Sequence, residues 1–200
     1  MTSSKAHILK TSFYLFLQKS FKEVTMNEIV IATGLSKGAF YHYFQSKEQL
    51  FVEVINAFFF DQLMIDHRKL STNSLRDFYH DYAQQLKKTA VVFKEYVNYN
   101  DTKVNINYLT MMFDALALFP GFRDKLKEAR LNELAAWTAV ITKSRGSGEF
   151  SSPMSDEQIA KMFIYSNGGI SLHLLFDGGL DTIDEEMLTL WDHFYRELKD

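Results

Sequence analysis

The sequence predicts an all-α protein of about nine helices. Only two prolines interrupt its 200 residues, and apolar side chains recur at spacings of three and four over most of the chain. That spacing is typical of amphipathic helices, and the long apolar–polar alternation of half-buried strands is absent. We predict two parts: a three-helix head at residues 1–46 and a longer helical body at residues 47–200.

Polar or glycine-containing breaks separate the predicted helices. Leu9, Phe13, Phe16 and Leu17 form one face of the first helix. The other helices are predicted at 26–33, 37–44, 47–69, 75–96, a segment ending near residue 119, 123–143, 156–176 and 183–199. Pro120-Gly121 is expected to end a helix, and the Ser- and Gly-rich stretch 144–155 is expected to be a mobile loop.

Composition and charge exclude several classes of protein. Residues 1–50 carry six Lys and three Glu, whereas the rest of the chain is acidic and brings the net charge to −3. Such a head can approach phosphates in one orientation. The chain has no Cys and no phosphate-loop, HExxH or dinucleotide-binding motif, so we expect neither an enzyme nor a bound metal or cofactor. No membrane-spanning run or signal peptide is visible, which predicts a cytoplasmic protein.

Three helix starts lie close together between residues 24 and 50. Thr25 with Glu28 is a capping box, Gly34 suits a left-handed helix end, and Ser36 can cap the next helix. Ser46 with Gln49 is expected to form another capping box at the start of the fourth helix. Two short helices joined by a glycine-containing turn predict a helix-turn-helix.

The third helix has one apolar face and one face suited to DNA. Leu35, Phe40 and Phe44 are expected to pack inward on Ile29 and Ala32. The opposite face is short-chained at its beginning and rich in hydrogen-bonding groups further on, as a recognition helix in a major groove requires. The predicted DNA-contacting residues are Thr25, Ser36, Lys37, Gly38, Ala39, Tyr41, His42 and Lys47, the last as a phosphate ligand.

This segment resembles the DNA-binding signature of the TetR family of repressors. The match is carried by the run from Gly34 to Phe44 and by Ser46-Lys47-Glu48, with Ala39 standing where the family often has Thr or Ser. The resemblance implies a homodimer joined by two C-terminal helices and a body pocket for a small effector. It also implies repression on a palindromic operator, with the protein associated with the nucleoid when DNA-bound.

Candidate residues for the pocket and the dimer interface come from the body. Aromatic and Met side chains with interspersed amides suit an apolar cavity, although each is equally compatible with a packed core. The pocket candidates are Phe93, Tyr96, Asn107, Tyr108, Met111, Met112 and Trp137. The interface candidates, placed by helical spacing and by the resemblance, are Phe163, Asn167, Ile170, Leu174, Leu190, Trp191 and Phe194.

The sequence thus favours a sequence-specific DNA-binding regulator, a repressor released from its operator by a small, largely apolar ligand. One alternative keeps the head but not the ligand: a ligand-independent or protein-responsive architectural DNA binder. A remote alternative is a helical enzyme or carrier.

Overall fold

The computed structural model describes residues 3–96 and 102–199, and these form nine α-helices and no strand, which confirms the predicted all-α class. The helices are α1 (Ser3–Glu23), α2 (Met26–Thr33), α3 (Lys37–Tyr41), α4 (Lys47–Ile55), α5 (Leu75–Tyr96), α6 (Thr102–Leu118), α7 (Pro120–Gly146), α8 (Asp156–Asp177) and α9 (Ile183–Glu197). No helix within these ranges is long and apolar enough to cross a membrane.

The chain divides into two compact units. Unit 1 comprises Met1–Met64 and Val92–Arg123, and unit 2 comprises Ile65–Val91 and Asp124–Asp200. Unit 1 therefore holds the three-helix head, α4 and α6, whereas α8, α9 and most of α5 and α7 belong to unit 2. The predicted boundary after residue 46 stays a prediction.

Phenylalanine rings form the core of unit 1. The Phe13 and Phe58 rings stack with centroids 4.4 Å apart, and Phe51 lies 5.1 Å from Phe16 and 4.4 Å from Phe21. Such clusters bury large apolar areas, which is the main source of stability for a small helical unit. Together they hold α1 against α4 and the residues that follow it.

Unit 2 is organised around two buried tryptophans. The Trp137 ring stacks on Phe163 at 4.8 Å and meets Trp191 edge-on at 5.6 Å, while Phe78 approaches it edge-on at 4.8 Å. These four side chains come from α5, α7, α8 and α9, so the aromatic cluster joins all four helices of the unit.

Three predicted boundaries are wrong for identifiable reasons. The fourth helix was expected to run to residue 69, but α4 ends at Ile55. A π-helical segment, Asn56–Leu63, follows it. Pro120-Gly121 was expected to end a helix, and α6 does end at Leu118, but the next helix begins at Pro120 and not at residue 123, because the first position of a helix does not need the amide hydrogen that proline lacks. The predicted loop at 144–155 begins only after Gly146, and Arg145 restrains it through bonds to the carbonyls of Ser152 and Met154, both at 2.7 Å.

Candidate nucleic-acid interface

A capping box and a glycine fix the two ends of α2. The Thr25 hydroxyl accepts a hydrogen bond from the Glu28 amide at 3.2 Å, and the Glu28 carboxylate accepts one from the Thr25 amide at 3.4 Å. A hydrogen bond from Lys19 holds the pKa of Glu28 below its ordinary value. Gly34 ends the helix with φ 67°, a conformation that strains any residue with a side chain. The turn into α3 is therefore set by local chemistry.

The short helix α3 is anchored by two buried rings. The Ser36 hydroxyl accepts a hydrogen bond from the Ala39 amide at 3.3 Å and so opens the helix. Phe40 and Phe44 are fully buried, with their centroids 6.4 Å apart. Leu35 is only half-buried, so these two rings carry most of the packing that orients α3.

The opposite face of α3 is exposed and chemically suited to a DNA groove. Its members, which we call the α3 face, are Lys37, Gly38, Ala39, Tyr41 and His42. A Cβ at Gly38 would meet no atom within 4 Å, so the backbone there is open to close approach. Tyr41 is 41% exposed and leans edge-on against Phe40 at 5.6 Å, which limits the freedom of its ring. Short residues followed by hydrogen-bonding side chains can reach base edges and phosphates.

Lys47 has a different environment from the one the sequence predicted. Its ammonium donates hydrogen bonds to the carbonyl oxygens of Phe21 and Val24, both at 2.8 Å, and lies 4.5 Å from the centre of the Phe21 ring. These carbonyls belong to the end of α1 and the residue before the Thr25 cap. Lys47 therefore ties the start of α4 to the end of α1, and at most one of its three N–H groups remains for a phosphate.

The sequence pattern did not predict one exposed apolar side chain of the head. Ile31 on α2 is 72% exposed, and with Tyr41 it is one of two large apolar side chains that the described residues of the head leave exposed. Ala32, which was expected to pack inward, is exposed as well, whereas Val30 is buried. Helical spacing could have predicted this exposure. Ile29, Val30 and Thr33 form the buried face of α2, and position 31 lies on the opposite face.

Most pocket candidates lie in unit 1. The Phe93 ring meets Tyr108 edge-on at 4.9 Å, and burial raises the pKa of the Tyr108 hydroxyl. The Asn107 amide donates to the Leu17 carbonyl at 2.7 Å, so this amide joins α6 to α1. The Asn107 amide therefore has a structural role within unit 1.

The other pocket candidates do not extend this group. Met111 is buried and Met112 half-buried on α6, whereas Trp137 lies fully buried in the aromatic core of unit 2. The Tyr96 side chain lies outside the described residues. The described structure thus brings Phe93 and Tyr108 together and assigns Trp137 to the other unit.

The interface candidates divide between the core and the surface of unit 2. Phe163 and Trp191 are 0% and 1% exposed and pack within the aromatic core, which removes both from any surface. Asn167 donates to the Tyr82 hydroxyl at 3.0 Å, so its amide also serves the interior. Ile170, Leu174 and Phe194 are half-buried, and Leu190 on α9 is exposed.

Metal chemistry finds no support in this part of the chain. Within 3–96 and 102–199, no cluster of three or more His, Asp or Glu side chains has a geometry that could hold an ion.

Comparison with known proteins identifies the head. Residues 8–54 match the family model of bacterial regulatory proteins of the tetR family. An uncharacterized HTH-type transcriptional regulator of Bacillus subtilis, YerO, is 50% identical over 50 residues, which cover 25% of this chain and 17% of that protein. The match thus spans about a sixth of that relative's length.

Longer matches include the body. The HTH-type transcriptional repressor BepR of Brucella suis is 24% identical over 165 residues, 81% of this chain and 76% of that protein. The crystal structure of a transcriptional regulator from Saccharomonospora viridis in complex with choline has a TM-score of 0.68 at 15% identity and covers 96% of this chain and 97% of its own. The first relationship extends beyond the head, and the second shows a common fold. The chain thus carries at residues 8–54 a head that matches the tetR family of bacterial regulatory proteins, and its fold is similar to that of solved transcriptional regulators.

Proposed function

We propose that the chain is a repressor that binds a palindromic operator as a homodimer and leaves it when a small, largely apolar effector binds. One observation carries the DNA-binding part of the proposal. Two buried rings and the Ser36 cap hold α3 so that its exposed face presents Lys37, Gly38 and Tyr41 outward. All three residues are exposed.

Two copies of this face can read one operator. In a homodimer the two recognition helices enter successive major grooves about 34 Å apart, so two-fold symmetry in the protein requires a palindrome in the DNA. The acidic body disfavours DNA approaching from any other side, because like charges repel phosphates. A homodimer bound to an operator that overlaps a promoter would block that promoter and so repress transcription.

Binding to the DNA that flanks the protein's own gene tests the first part. The titration is run at two salt concentrations with unrelated competitor DNA, on the wild type, Lys37→Ala and Tyr41→Ala. We expect competitor-resistant binding by the wild type and a loss of about tenfold or more for each variant. Lys88→Ala, an exposed lysine on α5, is the matched control and should bind like the wild type.

Release by an effector is the second part of the proposal. The aromatic and Met content of the body favours an apolar ligand, and a protein of the same fold binds choline in its crystal structure. We expect the effector to bind best when the two heads are spaced too far apart or too close together for the operator. Such an effector lowers the affinity for the operator, and by reciprocity the operator lowers the affinity for the effector by the same factor.

A thermal-shift screen with small apolar and aromatic compounds tests this part. A compound that raises Tm should also release the operator, by the reciprocity above. A compound that stabilises the protein without changing operator affinity contradicts the effector mechanism. Operator binding that no compound affects would favour the ligand-independent architectural regulator instead.

A further inference from the structure

A groove runs between α7 and α8 at the surface of unit 2. Its volume of about 660 Å³ lies within the range of cavities that hold small molecules. Its apolar lining residues are Leu131 and Leu134 on α7 and Ile164 and Tyr165 on α8. Leu131 and Tyr165 are largely exposed, so the groove is open to solvent. None of the pocket candidates from the sequence is among its described lining residues, so the groove is a separate candidate binding site.

Side-chain contacts show that α7 and α8 run antiparallel along this groove. Near the end of α7, Arg145 donates a hydrogen bond to Asp156 at the start of α8, at 2.7 Å. Further from that end, the Trp137 ring stacks on Phe163 with centroids 4.8 Å apart. The numbers of contacting residues thus fall along α7 as they rise along α8, which fixes the level of each lining residue along the groove.

The basic lining residues lie at opposite ends of the groove. Lys127 and Arg130 precede Trp137 on α7, whereas Lys161 lies just before Phe163 on α8. With a rise of about 1.5 Å per residue, the antiparallel register separates the Cα atoms of Arg130 and Lys161 by about 13 Å along the helix axes. The apolar walls occupy the length between these two ends.

Positive charge is uncompensated at the end of the groove that holds Lys127 and Arg130. Within the part of the chain that the structure describes, neither of these two side chains forms an ion pair. The acidic lining residue, Glu133, accepts a hydrogen bond from the buried Tyr82 hydroxyl at 2.7 Å, which directs one carboxylate oxygen towards the interior. Two cations therefore face this end of the groove with no anion paired to them.

We propose that the groove binds an amphipathic carboxylate, whose carboxylate contacts Lys127 and Arg130 and whose apolar chain lies along the walls towards Lys161. The guanidinium of Arg130 can donate two parallel hydrogen bonds to one carboxylate, and Lys127 adds a second positive charge. Contact of the chain with Leu134 and Ile164 removes apolar surface from water on both sides. The proposal names the chemical class of the effector, and it rests on the proposed function for the link to operator release.

Other classes of ligand fit the groove less well. A neutral apolar molecule would shield the two cations from water without pairing them, which is unfavourable. A small inorganic anion would leave the apolar walls in water. A chain with a carboxylate at each end would bring its second charge to Lys161, which already pairs with Glu157 in its own helix. A single carboxylate on one apolar chain meets each of these conditions.

Two lining residues of the groove are tied to the segment that precedes α5. The Tyr82 hydroxyl donates to Glu133 and accepts a hydrogen bond from the Asn167 amide at 3.0 Å. The His67 ring lies 5.8 Å from the Tyr82 ring, and its Nε2 atom lies 3.8 Å from the Glu133 Oε1 atom. In the chain, His67 follows the π-helical segment that comes after α4. A ligand that contacts Glu133 or Asn167 can therefore act on the residues through which the chain leaves α4.

Calorimetric titration of the full chain with decanoate tests the site. We expect one decanoate to bind per chain. Decanol keeps the apolar chain but lacks the charge, and it should bind about fivefold more weakly or worse. Acetate keeps the charge but lacks the chain, and it should show no binding at the same concentrations. Equal affinities for decanoate and decanol would overturn the carboxylate contact.

Charge variants locate the carboxylate within the groove. Lys127→Ala and Arg130→Ala should each weaken decanoate binding about fivefold or more and leave the affinity for decanol unchanged. Lys88→Ala removes an exposed lysine of α5 in the same unit; it is the matched control and should bind decanoate like the wild type. Glu133→Gln keeps an oxygen that can accept the Tyr82 hydrogen bond but removes the negative charge, so it should bind decanoate more tightly.

Operator binding separates the groove from the proposed function. Decanoate should lower the operator affinity of the wild type and, at the same concentration, leave that of Arg130→Ala almost unchanged. No decanoate binding, or binding that neither Lys127→Ala nor Arg130→Ala weakens, overturns the groove site and leaves the repressor proposal standing with another effector. Binding in the groove that does not change operator affinity overturns the effector role of the groove. A ligand-free protein that binds no operator overturns the repressor proposal itself, whereas the calorimetric result still decides the groove site.

Discussion

Lys47→Met tests whether this lysine binds DNA or holds the head together. The side chain is half-buried and donates two hydrogen bonds of 2.8 Å to carbonyls at the end of α1. Hydrogen bonds from a charged donor contribute about 1.5–3 kcal/mol each, and partial exposure places these at the lower end. Water can reach the vacated carbonyls in part, so we expect a total loss of about 2–3 kcal/mol in the free energy of unfolding.

The measurement is thermal and urea unfolding followed by far-ultraviolet circular dichroism. Both tryptophans, Trp137 and Trp191, lie in unit 2, so their fluorescence does not report directly on the head. For a chain of this size 1 kcal/mol lowers Tm by about 2–4 °C, which gives a fall of about 4–12 °C. Lys37→Met is the control: its side chain is exposed, so Tm should not change.

Salt dependence of operator binding separates the two roles. Each lysine–phosphate contact contributes about 0.9 to the slope of log affinity against log salt concentration. We expect Lys37→Met to make that slope shallower and Lys47→Met to leave it unchanged. A Lys47→Met protein with wild-type Tm and a shallower slope would refute the structural role and restore the phosphate contact that the sequence predicted.

Other predictions concern the body. Phe163→Ala should lower the free energy of unfolding by about 3–5 kcal/mol, independently of protein concentration, because the ring is fully buried in unit 2. Tyr165→Ala, which removes an exposed ring of the same helix, is the control and should leave that free energy almost unchanged; a loss for Phe163→Ala that depends on protein concentration would return Phe163 to the interface. Glu149 accepts hydrogen bonds from the Leu75 amide, the Arg76 amide and the Tyr195 hydroxyl. Burial alone would raise the pKa of its carboxyl, but these hydrogen bonds outweigh burial and lower that pKa from 4.5. A pKa that is lowered in the folded state adds stability above pH 4.5, and this stability is lost as the pH falls through the folded-state pKa. The free energy of unfolding from urea titrations should therefore differ between Glu149→Gln and the wild type at pH 7 and become equal in acid.

The sequence predicts the head well because local chemistry fixes it. Thr25, Gly34, Ser36 and Ser46 each act within a few residues of their own position, and the structure confirms all four as helix ends or caps. Capping depends on a side chain and the amides next to it, so no knowledge of distant packing is needed. Local reasoning could not predict the contacts of Lys47, because its hydrogen-bond partners, Phe21 and Val24, lie more than twenty residues away in the chain.

The faces of α8 show why the body is harder to predict. Phe163, Ile170 and Leu174 form one apolar row, and Met162, Tyr165 and Leu172 form another beside it. Both rows have helical spacing, so periodicity cannot tell which one enters the core. The answer depends on the aromatic side chains that α5, α7 and α9 bring to that helix, and these place Phe163, a predicted interface residue, in the core of unit 2.

The DNA-binding and dimer proposals make one joint prediction. Two linked heads bind two half-sites far more tightly than one head binds a single half-site, so the wild type should prefer the full operator to DNA with one half-site. Lys37→Ala should weaken binding to both DNAs, because the side chain is exposed on the α3 face, and should leave the oligomeric state in analytical ultracentrifugation unchanged. If the wild type binds both DNAs with equal affinity, operator recognition does not use two linked heads, and the homodimer has no part in it.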